Sequence, residues 1–357
     1  MTSTNTGQPI PSAGPAARPE WQRLLADAVG DLETLLALLD LDPETLAADL
    51  AADDLPSPEA LAAFPLRVPR GFVDRMVPGD PRDPLLRQVL PIHGEMAPAD
   101  ADPLSGAPAW SQDPLGEADV SPVPGLLHKY RGRVLMIATG ACAVHCRYCF
   151  RRHFPYGEHG GGTDHWRRIL EYIAADPSIE EVILSGGDPL VLADTKLARL
   201  AGALGEIPHL RRLRLHTRLP VVLPERVDGA LLAWLTTGRL DPVVVIHCNH
   251  AQEIDASVRD ALARLRGGGV TVLNQAVLLR GINDSVEALS DLSRALFETG
   301  VLPYYLHVLD RVLGAAHFEV PETVARQLIQ QLRGQMSGYL VPHLVREEAG
   351  APSKSPI

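Results

Sequence analysis

Three of the chain's four cysteines fall within eight residues, as Cys142, Cys146 and Cys149 in CAVHCRYCF. On one short loop they can aim three thiolates at a common centre. A structural zinc site takes four closed ligands, often as two distant pairs. No second pair exists here, so His145 or Cys248 would have to complete it. A four-iron cluster normally has four cysteine ligands, and three leave one iron open to a small molecule. A disulfide inside the trio would strand the third thiol without a role. Other polar groups stand in compact motifs further along: Ser185, Gly186, Gly187 and Asp188 in SGGDP, then HTR at 216–218, HCNH at 247–250, Asn274 with Gln275, and Asp310.

The elements that must position these groups can be read from periodicity. From residue 133 the runs VLMIAT, EEVILS, LRRLRLH, PVVVIH, VTVLNQAVLL and VLPYYLHVL alternate with amphipathic stretches near 164–175, 192–204, 225–237, 254–266, 285–299 and 321–336. The first set has strand character and the second helical spacing. Six βα units predict an α/β fold, a partial (βα)6 barrel, with an open doubly wound sheet as the competing arrangement. The polar motifs gather at or near the carboxyl ends of these strands, which share one face in a parallel barrel.

Residues 21–64 carry leucines at helical spacing behind Asp-Pro and Ser-Pro start signals, predicting a small N-terminal unit of two or three helices. Residues 65–127 are rich in Pro, Gly and Asp and predict an irregular connecting segment draped over a surface. The barrel is expected over 128–345, with 346–357 as a C-terminal tail. Residues 1–20 have neither a basic n-region nor an apolar h-region and predict a disordered lead rather than a signal peptide.

With 357 residues and 46% hydrophobic content the chain can bury one large core, or a core and a small appended unit. A formal net charge of -11 gives no general electrostatic drive toward nucleic acid, and no apolar run reaches membrane-spanning length. Four cysteines without a secretory signal predict a cytoplasmic protein, in whose reducing surroundings clustered thiols hold metal or do chemistry.

The ordered set of motifs resembles a known family. CxxxCxxC after the first strand of a partial barrel, with Gly-Gly-Asp-Pro after the second, looks like the radical S-adenosylmethionine (SAM) superfamily. More closely, HKYRGRVLMIATGACAVHCRYCFRRHFPY, ILSGGDPL, HTRLPVVLPERV, LNQAVLLRGIND and PYYLHVLD resemble the lysine 2,3-aminomutase family. The tail SGYLVPHLVREEAGAPSKSP, with LRVPRGFVDRM and GDPRDPLLRQVL upstream, is similar to the branch that modifies elongation factor P.

That resemblance implies roles, residue by residue. Cys142, Cys146 and Cys149 would ligate a 4Fe-4S cluster whose open iron is chelated by SAM. Ser185, Gly186, Gly187 and Asp188 would line SAM, with His247 and Gln275 also in contact. Lys354 would carry pyridoxal phosphate (PLP), and the tail must then fold back over the barrel mouth, extended rather than helical because of Pro352 and Pro356. Lys129, Tyr130 and Arg133 would lie near PLP, the cations holding its phosphate. Arg151 would clamp the α-carboxylate of L-lysine, although Arg152 adjoins it; Asp310 and Glu347 would face the ε-ammonium, Glu348 being the alternative if the register shifts by one. A flavodoxin or ferredoxin would supply the electron that cleaves SAM, hydrogen would leave and return through deoxyadenosine, and the product would be (R)-β-lysine for an elongation factor P lysyl ligase. Lysine breakdown or osmolyte synthesis is the alternative destination, another amino acid such as glutamate the alternative substrate, and a non-catalytic iron-sulfur regulator the alternative class.

Two departures matter. Family members that work in catabolism typically add a C-terminal zinc-binding extension, whereas this chain ends three residues after Lys354. His307 stands where the free-standing aminomutases have tyrosine, as in the elongation factor P branch. Cys248 reads as a small buried residue outside the trio. The sequence leaves oligomeric state, and so a homo-oligomer, open.

Overall fold

The structure is a computed structural model that describes residues 18–98, 109–159 and 163–357. Most of the expected N-terminal lead, residues 1–17, lies outside the described residues.

Among the described residues nine strands form one sheet in sequence order: β1 (Leu126–Tyr130), β2 (Arg133–Thr139), β3 (Glu181–Gly186), β4 (Arg212–Thr217), β5 (Asp241–Ile246), β6 (Thr271–Val277), β7 (Leu302–His307), β8 (His343–Arg346) and β9 (Ser355–Pro356). Strands β2 to β8 run parallel, while β1 and β9 pair antiparallel at the two edges. The sheet does not close on itself, so it is a partial barrel of the expected class. All six expected strands are present. The parallel sheet also gains β8, and β1 and β9 extend it. HLVR is too short to show a period of its own, and the two residues of β9 are a strand only because β8 offers an edge.

Helices at Thr163–Ala175, Asp194–Gly205, Gly229–Leu235, Ala256–Gly267, Val286–Glu298 and Glu322–Gln335 follow β3's predecessor and each later strand through β7. Their apolar residues recur at turn spacing, as Val258, Ala261, Leu262 and Leu265 do, and face the sheet's outer side chains such as Val182, Leu184, Leu213 and Leu215. Side chains of Asp228, Asp255 and Ser285 accept hydrogen bonds from amides three residues on and so start three of these helices.

The N-terminal region holds four α-helices, Glu20–Ala26, Leu32–Leu38, Pro43–Asp49 and Pro58–Ala63. Trp21 is buried with the guanidinium of Arg226, from the loop after β4, 4.5 Å from its ring centroid. The following segment is not merely draped over the surface: Leu85, Leu86 and Val89 are fully buried in the same apolar cluster as the barrel. Leucines spaced without a regular period hide this in the sequence. No helix among the described residues is long and apolar enough to cross a membrane.

Candidate active site

Inward-facing side chains of β2 to β7, the loops beyond their carboxyl ends and the C-terminal tail enclose a cavity of about 500 Å³. The residues to which the resemblance gives a role line it, from Cys142 on the first loop to Lys354 on the tail, whereas Asn274, Cys248 and the alternative Glu348 do not.

The three thiols share one wall of this cavity. Burial pushes the Cys142 thiol well up, and burial with the neighbouring Cys146 raises Cys149 to about 11. Arg218 Nη1 donates to Cys146 Sγ at 2.7 Å. His145 is committed elsewhere, its Nδ1 donating to Pro65 O at 2.8 Å while its ring stacks on Phe64. Cys248 is fully buried and its thiol donates to His250 O. Among the described residues no three His, Cys, Asp or Glu side chains converge closely enough to hold a single metal ion. Three thiols on one wall match ligands to separate irons of one cluster, each iron taking one cysteine.

The Gly-Gly-Asp turn explains how the cysteine loop is held. A Cβ on Gly187 would stand 2.3 Å from Ala141 O, and one on Gly186, whose φ is +122°, would stand 2.4 Å from Thr139 O. The end of β3 therefore passes directly against the backbone that leads into the cysteines. Asp188 is consumed by this architecture. Its carboxylate accepts from Thr217 Oγ1 at 2.7 Å, Arg218 N at 2.7 Å, Leu190 N at 3.0 Å and Leu219 N at 3.2 Å. Burial nevertheless raises its pKa to about 6. Asn274 similarly ties β6 to β5, accepting from Cys248 N and donating to Cys248 O, both at 3.0 Å.

Across the cavity lies a chain of alternating charges. Lys354 Nζ donates to Glu347 Oε2 at 2.5 Å, and Lys129 Nζ donates to Glu347 Oε1 at 3.0 Å. Burial would raise Glu347, but the two ammonium groups outweigh it and hold the carboxyl near 2. Lys129 also stands 3.6 Å from Glu117, which in turn accepts from Arg151 Nε at 2.7 Å and Nη2 at 2.8 Å. Asp310 is pushed up to about 7 by burial and by the nearby Glu347 charge. Arg152 points elsewhere, donating to Glu95 and to Gly314 O, and the exposed Glu348 accepts from Ser355. Of each ambiguous pair, Arg151 and Glu347 are the members that engage the cavity's ion chain.

The tail does fold back. Gly350 (φ +77°) reverses the chain, β9 pairs with β8, and Lys354 Nζ comes 5.8 Å from the centroid of Tyr305. The guanidinium of Arg133 lies 4.4 Å from the ring centroid of Tyr130. His216, His247 and His307 each present a buried Nε2 without a hydrogen-bond partner. Burial holds all three neutral, His247 at about 4. Unpartnered buried nitrogens on a cavity wall are costly unless a ligand meets them. Glu117 and Tyr305 escape sequence reading, and His216 is noticed only as part of the HTR motif, without a role. Glu117 sits in a Pro/Gly-rich stretch with no periodicity, and the other two are strand residues distinguished only by which face they occupy.

The open parallel barrel and the three-cysteine loop at its carboxyl face define a radical SAM enzyme, and residues 136–235 match the model of the Radical SAM superfamily. The chain is 51% identical to L-lysine 2,3-aminomutase of Escherichia coli over 342 residues, 96% of this chain and 95% of that one. It is 47% identical to the Haemophilus influenzae L-lysine 2,3-aminomutase over 94% of each chain, and 38% identical to that of Clostridium subterminale over 80% of this chain and 67% of that one. The chain belongs to the lysine 2,3-aminomutase family and is an isomerase. The family's cofactors are a 4Fe-4S cluster, SAM and PLP. The cavity's lining fits them: three thiols from one loop, unpartnered neutral imidazoles, and Lys354 with Lys129 and Arg133.

Proposed function

We propose that the enzyme converts L-lysine to (R)-β-lysine and that the product serves modification of elongation factor P. One observation carries the substrate reading: a single cavity has Arg151 on the side of the cysteine loop and two carboxylates, Asp310 and Glu347, beyond β7 and β8. A ligand with a carboxylate at one end and an ammonium at the other is matched in charge at both ends, whereas a dicarboxylic amino acid would meet like charge at Asp310 and Glu347.

When bound, the cluster supplies the electron that cleaves SAM, and PLP supplies the π-system through which an amino group can move between adjacent carbons. Cys142, Cys146 and Cys149 hold the cluster. Ser185, Gly186, Gly187, His247 and Gln275 line the SAM region, and Asp188 positions that region by joining the β3 and β4 loops. Lys129 and Arg133 balance the PLP phosphate, with Tyr130 beside them. For Lys354 to carry PLP its amine would have to be neutral, its proton passing to solvent, and its ion pair with Glu347 would open. Glu347 Oε2 would then be free to accept from the substrate's ε-ammonium, while Oε1 stays with Lys129. The same ammonium favours the ionised form of Asp310, which gives up the proton that burial otherwise retains on its carboxyl.

His307, three residues before Asp310, and the tail sequence around Lys354 support the elongation factor P branch over lysine breakdown. Anaerobic reconstitution with iron, sulfide, PLP and SAM, followed by reduction with L-lysine or L-glutamate, tests the reading. Chiral chromatography should show (R)-β-lysine from lysine and no product from glutamate, and a ligase should attach that product to elongation factor P. The S product, or turnover of glutamate in preference to lysine, contradicts it.

A further inference from the structure

Arg151 is buried, and so is Glu117; their side chains are 7% and 5% exposed. A guanidinium offers two bidentate edges, one along Nε and Nη2 and one across Nη1 and Nη2. Glu117 occupies the first, with contacts of 2.7 and 2.8 Å. Arg151 Nη1 then donates to Ser185 Oγ at 3.1 Å, which fixes the remaining edge beside the end of β3. Without Glu117 the guanidinium would be an unmatched buried charge, free to swing about its long side chain.

Glu117 is itself held in a built turn. Its amide donates to Asp113 Oδ1 at 3.0 Å, and Gly116 has φ +58° with Ala349 of the tail in van der Waals reach of any added Cβ. Just upstream, Ser111 N donates to Arg311 O at 3.0 Å and Leu313 N donates to Ser111 O at 2.9 Å, tying this segment to the loop that carries Asp310. Glu117 Oε1 also stands 3.6 Å from Lys129 Nζ. One carboxylate thus touches the arginine on the cysteine side and the lysine on the tail side.

We propose that Glu117 is a positioning residue that sets substrate specificity. It orients Arg151 to receive an α-carboxylate and keeps that clamp in register with Lys129. This rests on the lysine-binding reading above. Glu117 acts through Arg151, so its removal should weaken ligands in proportion to whether they carry a carboxylate.

The test compares holoenzyme with Glu117→Gln, which keeps the shape and removes the charge. KM for L-lysine and Ki for 1,5-diaminopentane, the same carbon chain without the carboxylate, are measured side by side. Cluster absorbance and PLP content serve as the folding check. The lysine KM should rise at least about tenfold, the scale of a misplaced binding group, while the diaminopentane Ki changes by less than about twofold. If both constants rise together, Glu117 is only structural and the proposal is overturned. A fall in lysine KM also overturns it, because Glu117 would then be a competitor for Arg151. Should the glutamine variant fail the folding check, Glu117→Asp, which keeps the charge but shortens the reach, is judged by the same ratio. If wild-type enzyme leaves lysine unconverted, the lysine reading falls and this proposal with it; if wild type converts lysine and the selective loss is missing, only this proposal falls.

Discussion

In the proposed lysine site the Asp310 carboxyl holds a proton that a bound ammonium would displace. Burial and the Glu347 charge raise its pKa to about 7, so near neutrality its carboxyl is divided between protonated and ionised forms. Only the ionised form can balance a substrate ammonium. The sign follows: raising the pH through about 7 strengthens lysine binding, and lowering it weakens binding. The pH profile of kcat/KM for lysine should therefore carry an acidic limb near 7. Asp310→Asn should remove that limb and raise KM by roughly 10- to 100-fold, the loss of a charged hydrogen bond of about 1.5–3 kcal/mol. Steady-state kinetics of the two proteins across pH 6 to 9 check this; an unchanged acidic limb in the variant would reassign the proton.

At the scale of elements, the passage of β3 against the cysteine loop is the feature most sensitive to a single atom. Gly187→Ala would place a Cβ 2.3 Å from Ala141 O, and backbone, unlike the end of a side chain, cannot step aside. Iron content per reconstituted chain should fall severalfold, while far-ultraviolet circular dichroism stays near wild type, because the clash displaces the loop entering the cysteines rather than the strands. Full iron incorporation would show that the loop tolerates displacement.

This packing also marks how far the sequence can be read. SGGDP announces a turn that needs glycine, and its place after the second strand points to the ligand face, but the neighbour that requires the glycines is the backbone at Thr139 and Ala141, far back in the chain. Asp188 reads as a ligand-facing carboxylate and does line the cavity, but its oxygens also accept from Thr217 and Arg218 N, a structural tie to β4 that the sequence does not announce. The six strands of the barrel were legible because each carries an apolar run bounded by turn residues. HLVR and the two-residue β9 were not, since their pairing is decided by tertiary position. Glu117 is the extreme case, a buried ion-pair partner in a segment with no periodic signal.

At the scale of the whole molecule, the N-terminal helices and the barrel share one apolar cluster that runs from Trp21 to Leu344. They should therefore unfold together. Trp21→Ala removes a fully buried ring from that shared core and should cost about 3–5 kcal/mol. Differential scanning of the cofactor-free chain should show one transition moved to lower temperature; two separate transitions would mean that the N-terminal helices fold as an independent unit.

The candidate residues for cluster, SAM, PLP and lysine line one cavity, and the proposed activity requires hydrogen to move between substrate and deoxyadenosine inside it. The most direct measurement follows deuterium from L-lysine labelled at its β-carbon in the anaerobic, reconstituted and reduced enzyme. β-Lysine should bear deuterium at its α-carbon, with label also found in 5'-deoxyadenosine and in recovered SAM. Absence of β-lysine, or β-lysine formed with no label in either adenosyl species, would contradict the proposed activity.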